Sequence, residues 1–121
     1  MKVNQFLLNI NSGQPQELLR FYRDVVGLPA HPDESRESTL MLGNVELVFD
    51  SHSEVSGPAP QPARALLNFM VDDLAAEQKR LEGQGVKFIR SAGKEYWGGV
   101  ISTFLDPDGN YCQIIEYRPE T

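Results

Sequence analysis

The residues with the most chemical potential are one carboxylate and four amides set into apolar runs. In Val45-Glu46-Leu47-Val48-Phe49 the alternation places Glu46 opposite the core-facing residues, as the carboxylate predicted to point into an enclosed space. Burial raises a carboxylate's pKa, the setting for a general acid or base. The same group could instead accept hydrogen bonds from Gln5 or Gln113 and hold a cavity open. Gln5, Asn9, Asn68 and Gln113 fall on the same side of their own alternating runs. Each polar group left without a partner in a dry core costs about 1–3 kcal/mol. Five of them therefore either bond one another and ordered water, or orient a ligand.

Tyr96 and Trp97 precede Gly98-Gly99 and a strand, as a pocket rim that stacks on a planar ligand would, or as residues packing on their own domain or a second subunit. Arg64 and Arg90 could meet an anionic group. His31 and His52 lie in irregular segments without a paired ligand spacing and read as surface residues. Cys112 falls on a helix-facing strand position, where it acts as a small core hydrophobe. No Ser–His–Asp arrangement, phosphate-cradling loop or nucleotide fingerprint is present; Gly83 and Gly85 follow a helix and stop it.

The elements that must position these residues recur in order. Residues 2–11 alternate as a strand, Ser12-Gly13-Gln14-Pro15 breaks it, and Leu18, Leu19, Tyr22, Val25 and Val26 keep helical spacing up to Gly27. Residues 28–38 are irregular or hold a short edge strand, and 39–42 and 45–49 form a hairpin about Gly43-Asn44. A linker rich in proline covers 53–63. The order then restarts: a strand over 65–71, a helix over 74–82 capped by Asp72 or Asp73, strands over 86–89 and 100–105, the turn Asp106-Pro107-Asp108-Gly109-Asn110, and a last strand over 111–117. The expected fold is α+β, a single domain of two tandem βαβββ units, about 1–52 and 64–121. Their curved mixed sheets would enclose a central pocket.

Composition narrows the function. The chain has 121 residues and a formal net charge of −6, with its cationic residues scattered, which argues against nucleic acid. The apolar runs are too short to span a bilayer. The opening MKVNQFLLNINSG lacks a signal peptide's apolar centre, and the one cysteine suits a reducing compartment, so the expected location is cytoplasmic.

The segments LLRFYRDVVGL at 18–28, NVELVF at 44–49, VDDLAAEQKRLEGQGV at 71–86 and FLDPDGNYCQIIEY at 104–117 resemble the vicinal oxygen chelate superfamily. That superfamily includes glyoxalase I, extradiol dioxygenases, fosfomycin-resistance enzymes, methylmalonyl-CoA epimerase and bleomycin-resistance proteins. The resemblance implies the glyoxalase-like fold, a homodimer, and a divalent-metal position carried over to Gln5, Glu46, Leu66 and Gln113. Leu66 has no donor atom, and Gln113 replaces the usual glutamate. With no imidazole or thiolate, the set is degenerate for a transition metal. The leading expectation is a metal-free protein with no cofactor that binds a small organic molecule, planar or cationic, through Gln5, Asn9, Glu46, Asn68, Tyr96, Trp97 and Gln113. The alternatives are a lyase, isomerase or dioxygenase using a divalent metal or Glu46 as its catalytic group, and a structural module without catalytic duty.

Overall fold

A computed structural model describes residues 1–117; the last four residues assigned to the second unit lie outside them. The chain divides into two compact units, Met1–Gly57 and Pro58–Thr121.

The first unit begins with β1 (Leu7–Asn11), followed by helix α1 (Pro15–Arg20), which opens on a proline. From Phe21 to Val26 the helix widens to π geometry and ends at Gly27, whose φ of +91° needs a residue without Cβ. The hairpin β2 (Thr39–Leu42) and β3 (Val45–Asp50) completes a sheet in the order β1-β3-β2. The β1–β3 pair is parallel and the β2–β3 pair antiparallel. A single antiparallel bridge, Ala30 to Leu40, lines the outer edge of β2, so the possible short edge strand is reduced to one bridge. Register puts Leu8, Leu40 and Leu47 in one row and Ile10 and Phe49 in the next. Against this face pack Leu18 and Tyr22, both fully buried, and the Tyr22 ring stacks on Phe49 at 5.3 Å between centroids. Burial of each such side chain stabilises by about 1.5–3 kcal/mol.

The expected first strand over 2–11 is shortened. Residues before Leu7 do not pair, so Gln5 lies ahead of β1 rather than within it. Alternation alone does not make a strand; a partner is also needed.

The second unit holds β4 (Leu67–Met70), helix α2 (Leu74–Gly83), β5 (Phe88–Lys94), β6 (Gly99–Leu105) and β7 (Tyr111–Tyr117), in the sheet order β4-β7-β6-β5. Of the two cap candidates, Asp73 accepts from Ala76 N–H at 3.0 Å. The Leu74 N–H donates to Glu116 on β7 at 2.9 Å, tying the helix start to the sheet. On the helix side lie Phe104, Cys112 and Ile114, all buried. β5 runs five residues past its expected end. It does so through register shifts between Phe88 and Gly93, with Ala92 at a φ of +44°.

The turn into β7 is built on Asp106, which is buried. One carboxylate oxygen accepts from the Asp108 and Asn110 backbone N–H groups, each at 2.9 Å, and the other from Asn110 Nδ2 at 2.8 Å. Asp108 C=O in turn accepts from Ala59 N–H at 2.8 Å, which fixes the start of this unit. Replacing Asp106 with alanine leaves two backbone donors without their partner, so Asp106→Ala should lower stability by about 1–3 kcal/mol. Urea unfolding reads this as a lower midpoint at unchanged slope.

Candidate functional site

In the first unit, the face opposite α1 carries Leu7, Glu46 and Met41 in one register row, and Asn9, Val48 and Thr39 in the next. Glu46 is buried at 4% exposure. Its Oε1 accepts from His31 Nε2 at 2.8 Å and from an Arg36 guanidinium nitrogen at 3.0 Å. Its Oε2 accepts from Gln5 Nε2 at 2.8 Å and from the other Arg36 nitrogen at 3.3 Å. A carboxylate has about four acceptor sites, and all four are engaged.

The expected Gln5–Glu46 contact is thus present, while the expectation for His31 is corrected. Its side chain is only 14% exposed and is a partner of Glu46, not a surface residue. The Asp33 backbone N–H donates to His31 Nδ1 at 2.9 Å, so Nδ1 is the bare nitrogen and Nε2 carries the proton that Glu46 receives. Asp33 is held in turn by Ser35, whose hydroxyl and backbone N–H keep its carboxyl below the usual range. Sequence reasoning missed Arg36 entirely. The available signal was the alternation at Glu46 itself: a carboxylate predicted to be buried demands a cation, and the segment beside β2 offers only His31 and Arg36.

These residues do not fit a divalent ion. Glu46 has no acceptor site left over, and the imidazole nitrogen facing it bears a proton. Leu66 has no donor atom, and the Gln113 amide nitrogen donates to Thr103 Oγ1 at 3.2 Å. Among the described residues no group of three or more His, Cys, Asp or Glu side chains could hold a metal.

The second unit's face opposite α2 is of another kind. Asn68, Gln113 and Thr103 form one row across β4, β7 and β6, and Met70, Ile115 and Ile101 the next. Gly99 pairs with Tyr117 at the end of this face. The Trp97 ring lies over Gly99, where any Cβ would overlap it. It stacks on Tyr117 with centroids 6.4 Å apart and planes 11° from parallel. Both rings remain exposed, at 39% and 57%. Tyr96 stands clear at 98% exposure, so of the expected pair only Trp97 is built into the face. Arg90 pairs with Glu95, and Arg64 donates to Gln61 at 3.0 Å, so the two candidate anion-binding arginines have local partners. Leu66 is exposed, just before β4. Cys112 is fully buried.

The structure also holds two clefts of about 330 Å³, the first of them bordered by two of the Glu46 partners. One is lined by Leu19, Arg23, Ala30, His31, Arg36 and Leu40 in the first unit, the other by Leu74, Gln78, Lys79, Ala92, Lys94 and Val100 in the second. No helix among the described residues is long and apolar enough to cross a membrane.

Residues 2–114 match the family model of the Glyoxalase/Bleomycin resistance protein/Dioxygenase superfamily. Among solved structures, a protein from the mobile metagenome of V. Pseudocholerae is 24% identical with a TM-score of 0.74, over 98% of each chain. A member of the same superfamily from Sphaerobacter thermophilus is 17% identical at a TM-score of 0.73, over 95% of this chain and 98% of that one. TnmS3, an antibiotic binding protein from Streptomyces sp., is 23% identical at 0.69, over 97% and 98%. At these identities the likeness establishes the fold alone. No curated protein matches.

The pairing of His31 has a direct test. His31→Ala should cost about 1–2 kcal/mol, because it strips a donor from a buried carboxylate, whereas His52→Ala should stay within about 0.5 kcal/mol. A long-range ¹H–¹⁵N spectrum near neutral pH should show His31 protonated on Nε2 and bare on Nδ1. The opposite tautomer contradicts the assignment.

Proposed function

The chain belongs to the Glyoxalase/Bleomycin resistance protein/Dioxygenase superfamily, and within it we propose that this protein binds a small planar organic molecule without a metal. The observation that carries the reading is the exposed Trp97–Tyr117 stack at the end of the second unit's open face. Two parallel rings, held by Gly99 beneath them, offer a pre-formed platform on which a third planar system can lie. Beside it Met70 and Asn68 are exposed and Gln113 half-buried, while Ile101, Ile115 and Thr103 of the same two rows are buried beneath them. That pairing of apolar area with a few polar groups suits an organic ligand. The net charge of −6 favours a cationic one. The antibiotic-binding relative lends the same reading support.

The enzyme reading built on Glu46 is weaker on geometry. A general base needs a lone pair directed at the proton it removes, and the lone pairs of Glu46 are directed at Gln5, His31 and Arg36.

We further propose a homodimer in the cytoplasm. β1 and β4 are edge strands, and Leu7, Leu8, Leu66 and Met70 on or beside them are exposed. Unpaired apolar edges invite a partner strand, and a second copy supplies one. Light scattering should return about twice the monomer mass of 13.6 kDa; a monomer across the micromolar range removes the proposal.

Trp97 is the only tryptophan, so intrinsic fluorescence reports on the platform directly. An acridine cation and a neutral anthraquinone should quench it and raise the melting temperature, the cation more strongly. Trp97→Ala should weaken binding about tenfold, within the range of aromatic stacking. Gly99→Ala should weaken it likewise by displacing the ring. Stabilisation by divalent metals alone, or unchanged affinity in Trp97→Ala, overturns the reading.

A further inference from the structure

We infer that Arg36 is a built-in counter-cation for Glu46, occupying with its guanidinium the place on that carboxylate where the family's metal enzymes would put a divalent ion. The inference goes beyond ligand binding and stands separately from it, since it concerns the first unit alone and its experiment does not read the Trp97 face.

Three observations carry it. The first is geometric: both terminal nitrogens of one guanidinium reach both oxygens of one carboxylate, at 3.0 and 3.3 Å, the forked arrangement for which arginine is shaped. The second is the difference in exposure. The Glu46 side chain is 5% exposed and that of Arg36 is 37%. A buried anion is thus capped from the solvent side by a cation, as an entering ion would cap it. The third is the set of other donors. Gln5 and His31 take the remaining acceptor sites on Glu46, and the His31 proton is directed there by the Asp33 N–H on the far side of the ring. A metal-ligating histidine needs the reverse, a bare nitrogen towards the ion and an N–H towards an outer acceptor. The surroundings are therefore arranged for a carboxylate that receives hydrogen bonds, with the positive charge covalently part of the chain.

The arginine matters in particular because the histidine can supply a hydrogen bond in its neutral form but no charge. Removing Arg36 would leave a buried carboxylate with two donors and no cation. Such a site should take a cation from solution, and the one that fits the vacated space is guanidinium itself.

Chemical rescue tests this. Arg36→Ala should melt several degrees lower than the parent protein, and about 10 mM methylguanidinium should recover roughly half of that loss by binding the folded state. Urea at the same concentration, alike in shape to guanidinium but uncharged, should recover nothing. The double variant Arg36→Ala/Glu46→Gln should show no recovery with either. Should Arg36→Ala be largely unfolded at 25 °C, the same contrast is read as the folded fraction regained. In the parent protein, about 1 mM Ni²⁺ or Mn²⁺ should shift the melting temperature no more than it does in Glu46→Gln. Rescue that is absent, matched by urea or independent of Glu46 overturns the inference. So does a metal-induced shift in the parent protein that Glu46→Gln abolishes.

Discussion

A carboxylate taken out of water must be given back its hydrogen bonds and its counter-charge, and the open face of the first unit follows from that requirement at Glu46. β3 fixes the residue's position, since Leu47 and Phe49 on either side of Val48 are committed to the α1 core. Glu46 therefore cannot turn outward without exposing them. What surrounds it must comply. The stretch between α1 and β2 has one bridge and no regular strand, yet it is pinned by His31 N–H to Thr39 C=O, Met41 N–H to Pro29 C=O and Arg36 N–H to Asp33 C=O. These bonds bring both His31 and Arg36 to the same carboxylate. Gln5, ahead of the first strand and outside any ladder, is held by the same group. One buried charge thus organises two segments that secondary structure leaves unspecified.

The second unit repeats the element order without repeating this constraint. The position corresponding to Gln5 is Leu66, and that corresponding to Glu46 is Gln113, a neutral amide whose partner is the Thr103 hydroxyl. With no buried charge on it to satisfy, that face keeps Trp97 and Tyr117 exposed. The difference between the two faces is therefore electrostatic in origin. One face spends its polar groups on itself, and the other keeps two aromatic rings exposed.

The fold was legible because its signals are local. Apolar alternation, the Gly27 helix stop, the Gly43-Asn44 hairpin and the Asp106–Asn110 turn each act within a few residues, and a repeated order adds to them. What escaped was non-local or depended on a partner. Val3 and Gln5 alternate correctly but have no strand beside them, so β1 starts at Leu7. β5 continues through Ala92-Gly93 because the irregular register absorbs a positive φ that a regular strand forbids. His31 and Arg36 looked like ordinary loop residues because their partner lies 15 and 10 positions away, across a hairpin. Of the candidate site residues, Glu46 and Gln113 were placed on their faces by alternation, and Trp97 was marked by the glycines that follow it. Their partners were not, since alternation is silent about loops.

In the first unit the counter-charge to the buried carboxylate belongs to the chain itself. A buried carboxylate such as Glu46, left with empty acceptor sites, would cost several kcal/mol as an unpaired charge. Instead its four acceptor sites are engaged, and among the described residues no buried side-chain nitrogen or oxygen lacks a partner. Glu46 sits within β3, and every group facing it is a hydrogen-bond donor. A carboxylate retained at that depth with a dedicated cation, a proton-bearing imidazole and an amide around it is a complete structural unit. It holds the loop before β2 against the sheet by the same electrostatics that would hold an ion.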